Sequence, residues 1–125
     1  MAKKIFLIDD ETDFTELAKS VLSFSGFEVE ASNDPAASLK KIIAGSYDAV
    51  VVDLMMPGMD GFTLVKSLRG EERYAKTPIF VMSAKKLKDE ERKTLLLNNV
   101  QFVPKPFEPN RLVSAIADLA AKYSK

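Results

Sequence analysis

The feature that most constrains this chain is an alternation running from one end to the other: short apolar runs rich in β-forming residues, each followed by a stretch with helical periodicity. Ile5-Phe6-Leu7-Ile8 is a continuous apolar run, the pattern of a strand buried on both faces. Phe14, Leu17, Ala18, Val21 and Leu22 then recur at helical spacing, and Gly26 stops the helix. Phe27, Val29 and Ala31 alternate with Glu28 and Glu30, which predicts a half-exposed strand at a sheet edge. Ser32-Asn33-Asp34-Pro35 opens a second helix, with Leu39, Ile42 and Ile43 on its apolar face and Gly45 at its end. Ala49-Val50-Val51-Val52 and Ile79-Phe80-Val81-Met82 are further buried strands, separated by a Pro/Gly loop and a helix carrying Phe62, Val65 and Leu68. A fourth helix is charged from Lys85 to Lys93 and apolar from Leu95 to Leu97; Val100 to Val103 is the last strand. Leu112, Val113, Ile116, Ala117 and Leu119 mark a fifth helix. Five such β–α units imply a parallel sheet covered by helices on both faces.

Composition narrows the chemistry. The 125 residues suit a single domain with its own core. Lys plus Arg and Asp plus Glu each number 18, so charge gives no reason to expect direct binding to nucleic acid or an anionic membrane. The chain has no Cys and no His, which excludes disulfides, thiolate chemistry, phosphohistidine and the commonest transition-metal ligand. Catalysis must rest on carboxylates, hydroxyls, Lys or a hard metal ion. The first apolar stretch is too short for a signal peptide or a membrane span, so a cytoplasmic location is expected.

Three acidic residues stand where buried strands end: Asp9 and Asp10 after Ile8, and Asp53 after Val52. Ligand sites of open α/β sheets lie outside the carboxyl ends of strands, at the point where strand order reverses. If those two strands are neighbours, the carboxylates converge, repel one another, and call for a cation with oxygen ligands such as Mg²⁺. The plainer reading is that they cap helices; Asp10 and Asp13 are both placed to cap the first one.

The segment Asp53-Leu54-Met55-Met56-Pro57-Gly58-Met59-Asp60-Gly61-Phe62 resembles the D-x-x-M-P-x-M-D-G-F stretch of response-regulator receiver domains. The acidic pair Asp9-Asp10, the hydroxyl of Ser83 after the fourth strand, and Lys105-Pro106-Phe107 after the fifth complete that family's pattern in order. The resemblance spans essentially the whole chain. It implies a flavodoxin-like, doubly wound five-stranded parallel sheet in the order 2-1-3-4-5 with five helices, residues 1–125 forming one receiver domain without an output domain.

The resemblance also implies roles. Asp53 is the phosphoryl acceptor; Asp10, Asp53 and the backbone carbonyl of Met55 hold Mg²⁺, with Asp9 assisting partly through water. Lys105, aimed by a Lys105-Pro106 bond that is often cis in the family, meets a phosphoryl oxygen, and Ser83 hydrogen-bonds the phosphoryl group once it arrives. Phe102 stands where the family places its switch aromatic; read alone, it is a core side chain of a strand. Met55 and Lys85 occupy positions that tune phosphoryl lifetime, and Asp60 is placed to cap the third helix. Leu97-Asn98 replaces the usual Ala-Gly before the fifth strand, and Asn98 still suits a left-handed turn. Leu95-Leu96-Leu97 reads either as core packing or as a homodimer or partner surface on helix 4, strand 5 and helix 5.

The implied function is a signalling switch, not a free-standing enzyme. A sensor histidine kinase or phosphotransfer protein supplies the phosphoryl group, and a downstream protein or an output domain reads the changed surface. A phosphatase of the haloacid dehalogenase type wants a second Asp two residues after its nucleophile, yet Glu11 follows Asp9 and Met55 follows Asp53 at that spacing. A flavin-binding protein wants a Ser/Thr/Gly-rich phosphate loop after the first strand, where two aspartates stand instead; no nucleotide-binding P-loop is present either. A pseudo-receiver that binds partners without phosphorylation would not need the complete acceptor set.

Overall fold

The computed structural model of the chain describes residues 3–9, 11–54, 61–83, 87–97 and 100–104, with the backbone alone described at 12–14, 83 and 101–104. Strands β1 (Lys4–Ile8), β2 (Glu28–Ser32), β3 (Ala49–Asp53), β4 (Ile79–Ser83) and β5 (Gln101–Pro104) alternate with helices α1 (Thr12–Phe24), α2 (Pro35–Ala44), α3 (Gly61–Arg69) and α4 (Asp89–Leu97). The sheet is parallel throughout, in the order β2-β1-β3-β4-β5. The predicted doubly wound architecture and strand order are therefore present; the predicted fifth helix lies outside the described residues. Among the described residues no helix is long and apolar enough to cross a membrane.

The apolar runs form the inner strands because both of their faces are covered. Successive side chains point to opposite faces. Phe6, Ile8, Val50, Val52, Ile79 and Val81 pack with Ile42, Leu64, Val65, Leu68 and Leu95 from α2, α3 and α4. Ile5, Leu7, Ala49, Val51, Phe80 and Met82 pack on the other face with Ala18 and Leu22 of α1. Each such buried aliphatic or aromatic side chain contributes roughly 1.5–3 kcal/mol. Strand β2 pairs only with β1, and its Glu28 is exposed, as expected at an edge.

Local signals set the boundaries. Gly26 has φ of 99°, and the amides of Gly26 and Phe27 return to the carbonyls of Ser23 and Leu22, closing α1 in a Schellman turn. Asp34 caps α2 by accepting from the Ala37 amide at 3.1 Å, just before Pro35.

Two expectations are corrected. The residue capping position of α1 is Glu11, whose side chain makes no cap hydrogen bond; Asp13 lies inside the helix and Asp10 outside the described residues. Leu17, assigned by periodicity to the inner face of α1, is 54% exposed, and Phe24 is 95% exposed. Among the described side chains of α1, Thr15, Ala18 and Leu22 are buried and Val21 is half-buried. In the run Leu95-Leu96-Leu97 only Leu95 enters the core, while Leu96 and Leu97 are 77% and 87% exposed.

A 3-10 turn, Glu72–Tyr74, has no signal in the sequence pattern. Its Tyr74 is buried, and the hydroxyl shares its proton between the carbonyls of Ile42 and Gly45 at the end of α2. Arg73 also donates to the Gly45 carbonyl, while Arg69 donates to those of Tyr74 and Thr77 at 2.7 Å each.

Candidate functional site

The strand register brings the acids together. Ile8 pairs with Val52, so Asp9 and Asp53 follow neighbouring positions at the carboxyl ends of β1 and β3. They continue the alternations Ile5-Leu7-Asp9 and Val51-Asp53, which line the same face of the sheet. Strand order reverses here, because the chain leaves β1 for β2 on one side and returns to β3 on the other.

Both carboxylates are buried. Carboxylate oxygens of Asp9, Asp53 and the exposed Glu11 lie within 4.8 Å of one another. Glu11 is the residue of this cluster that sequence reading passed over. Its signal was its position two residues after Asp9, but only the turn into α1 brings the side chain back.

The backbone around the cluster is held on several sides. The Glu11 amide donates to Asp9 Oδ1 at 2.9 Å. The Asp9 amide donates to the Ser32 carbonyl at 3.2 Å, and Asn33 Nδ2 donates to the Asp9 carbonyl at 2.9 Å. These bonds tie the end of β1 to the β2–α2 turn. Beyond Asp53, the Leu54 amide donates to the Met82 carbonyl at 2.9 Å, and the Gly61 amide donates to the Leu54 carbonyl at 3.2 Å. The start of α3 is thereby anchored beside β3.

Three carboxylates at this spacing repel one another, and two of them are shielded from water. All the donors are oxygen, which fits a hard divalent cation and not a soft one. The cluster is thus chemically suited to a Mg²⁺-like ion.

The other predicted site residues are only partly described. The Ser83 backbone ends β4, opposite Pro104 and one residue after Met82, the register partner of Asp53. Phe102 pairs with Val81 in the β4–β5 ladder. Asp10, Met55, Asp60, Lys85, Asn98, Lys105 and the Lys105-Pro106 bond lie outside the described residues.

The sequence profile of the response regulator receiver domain matches residues 5–117. The chain is 33% identical over 116 residues to the response regulator GtcR of Aneurinibacillus migulanus, covering 93% of this chain and 47% of that protein. It is 32% identical over 119 residues to the response regulator MprA of Mycobacterium tuberculosis, covering 95% and 51%. The chain spans about half the length of these curated relatives. Among solved structures, the chemotaxis protein CheY4 of Vibrio cholerae superposes with a TM-score of 0.87 at 26% identity, covering 94% of this chain and 98% of that one. The receiver domain of a sensor histidine kinase from Pseudomonas aeruginosa, solved with a magnesium ion in its active-site cleft, superposes with a TM-score of 0.85 at 21% identity and covers 97% and 99%.

Proposed function

We propose a function from one premise: this chain belongs to the response regulator receiver domain family. It acts as a phosphorylation-dependent signalling switch whose acceptor is Asp53. The observation that carries this reading is the convergence of Asp9, Glu11 and Asp53 at the carboxyl ends of β1 and β3.

The Asp53 carboxylate attacks the phosphorus of a phosphoryl donor, a histidine kinase or a phosphotransfer protein. One Asp53 O–P bond forms while the donor's P–N bond breaks, and the donor imidazole leaves carrying the proton it needs. Such transfer demands in-line placement and neutralisation of charge more than covalent help from the protein. Mg²⁺, when bound, would neutralise charge on the phosphoryl oxygens; Asp10, Asp53 and the Met55 carbonyl would hold it, with Asp9 assisting partly through water. Lys105 meets another phosphoryl oxygen, and Ser83 donates its hydroxyl to the group. The new charge of about −1.5 to −2 then draws on Ser83, with Phe102 following, and alters the surface of α4, β5 and the chain beyond them. Leu96 and Leu97, exposed at the end of α4, belong to that surface. A downstream protein, a second copy of the chain or an output domain reads the change. Residues 1–125 form one receiver domain, and the domain's chemistry is limited to its own phosphorylation and dephosphorylation.

Intact-protein mass spectrometry after incubation with acetyl phosphate tests this reading, with and without Mg²⁺, on the wild type and Asp53→Asn. One phosphoryl adduct that needs Mg²⁺ and disappears in the variant is expected. No adduct in the wild type, together with no spectral change on adding beryllofluoride, would leave a constitutive binding module as the better account.

A further inference from the structure

On the reading of Asp9 and Asp53 as cation-site residues, we infer that Asn33 is a positioning residue for Asp9: its side-chain amide holds the peptide that follows Asp9 in the orientation the site needs. Asn33 touches neither the ion nor the phosphoryl group in this role, and it belongs to no part of the acceptor motif.

The bond takes the place of a missing rung in the sheet. Strands β1 and β2 pair up to Ile8 opposite Ser32, and the Asp9 amide extends the ladder by donating to the Ser32 carbonyl at 3.2 Å. In a parallel ladder the Asp9 carbonyl would next receive the amide two residues past Ser32, that of Asp34. That amide instead donates to the Ser32 hydroxyl at 3.2 Å as the chain turns toward α2. Asn33 Nδ2 fills the position, donating to the Asp9 carbonyl at 2.9 Å. Asparagine suits the place because its short amide arm can donate from within a turn.

The turn that carries Asn33 is fixed from its other side. Asp34 Oδ1 accepts from the Ala37 amide at 3.1 Å, and the Asp34 carbonyl accepts from the Ser38 amide at 2.9 Å and the Ser38 hydroxyl at 2.6 Å. Ser38 is buried, so Asn33 reaches β1 from a moored base. The peptide it holds lies between two contacts of Asp9. On one side the Asp9 amide is bound to Ser32; on the other the Glu11 amide donates to Asp9 Oδ1 at 2.9 Å. Rotation of that peptide would carry the Glu11 amide off the buried Asp9 carboxylate. Freed of Asn33, the peptide samples such orientations, and a cation must select the competent one at a cost in affinity. Once bound, the ion itself holds the arrangement, so the chemical step is spared.

Asn33 is exposed, so Asn33→Ala opens no hole in the core. Ser38→Ala is the control: it loses a hydrogen bond of the same turn without changing charge or touching the Asn33 bond. Titration of Mg²⁺ into each ¹⁵N-labelled chain, followed by amide chemical shifts, gives the affinity. Mass spectrometry gives the rate of phosphorylation by acetyl phosphate at saturating Mg²⁺. Asn33→Ala is expected to weaken Mg²⁺ binding about two- to tenfold, the equilibrium worth of one hydrogen bond, with a wild-type rate at saturation. Ser38→Ala should keep wild-type affinity, and amide dispersion in each spectrum shows that the variant is folded. Equal affinities for wild type and Asn33→Ala overturn the inference while leaving the aspartate site intact. So does an equal loss in Ser38→Ala, which would mean that any loosening of the turn suffices. A rate that falls at saturating Mg²⁺ overturns the assignment of Asn33 to pre-organisation alone. Absence of Mg²⁺ binding in the wild type overturns the site reading itself.

Discussion

Gly61 lies against the backbone of Leu54: a Cβ at position 61 would stand 2.7 Å from Leu54 Cα and 2.9 Å from the Asp53 carbonyl oxygen. Real Cβ atoms do not approach backbone so closely, and backbone cannot rotate aside as a flexible side chain can. The absence of a side chain at Gly61 is what lets α3 begin so close to the end of β3.

Gly61→Ala should therefore destabilise the fold by about 1–3 kcal/mol, the range for forcing extra volume into a packed site. The same shift should displace Asp53 and slow phosphorylation by acetyl phosphate. Urea denaturation and the mass-spectrometric time course check the two effects. A variant with wild-type values in both would show that α3 moves freely relative to β3.

The crowding of Asp9, Glu11 and Asp53 predicts an inversion of stability by the cation. Without Mg²⁺, Asp53→Asn should be more stable than wild type by about 1 kcal/mol or more, the repulsion between charges about 4 Å apart in water. Mg²⁺ at a hundredfold excess over its Kd should then raise wild-type stability by about 2.7 kcal/mol and the variant by much less. Thermal melts with chelator and with excess Mg²⁺ measure both. A variant no more stable than wild type in chelator would mean that other hydrogen bonds already absorb the repulsion.

Tyr74 joins the 3-10 turn to the end of α2 through the carbonyls of Ile42 and Gly45. Both acceptors have another donor, the Gly45 amide for Ile42 and Arg73 for Gly45, so neither is orphaned when the hydroxyl goes. Tyr74→Phe should cost about 1 kcal/mol, the net worth of an ordinary hydrogen bond, with no effect on phosphorylation. Chemical denaturation and acetyl phosphate labelling distinguish this from a wider collapse of the α2–α3 side.

The two described tyrosines should ionise late. Burial first, then the hydrogen bond to Glu30 and its charge, push Tyr47 up to about 12. Burial likewise raises Tyr74 above the usual tyrosine value. An unfolded chain loses a tyrosine proton near pH ~10 while the fold keeps it, so this contribution to stability is complete below that pH and is lost as pH rises toward the folded value. Phenolate absorbance during alkaline titration should show the delay. Glu30→Gln should shorten it for Tyr47 without abolishing it, because burial is the larger cause. Normal titration of both residues in the folded chain would contradict their packing.

Much of this protein is a local matter, and local matters are written in the sequence. Ile5 to Ile8, Ala49 to Val52 and Ile79 to Met82 announce buried strands because a strand covered on both faces tolerates no polar side chain. Asp34 before Pro35, and Gly26 after α1, mark helix ends because a cap and a left-handed turn each need a particular residue at one position. Asp9 and Asp53 were legible as strand-end acids. Their meeting was legible only through the family resemblance and not from the local pattern, since it depends on β1 and β3 becoming neighbours, with Ile8 opposite Val52 across more than forty residues of chain. Tertiary structure forms that pairing, and it alone decided the convergence of Glu11 on the pair. It also exposed Leu17, because periodicity tells which residues share a helix face but not how much of that face its neighbours cover. The link from Tyr74 to Ile42 is of the same kind: the hydroxyl has no local partner, and its acceptor arrives only when α2 and the 3-10 turn pack on one side of the sheet.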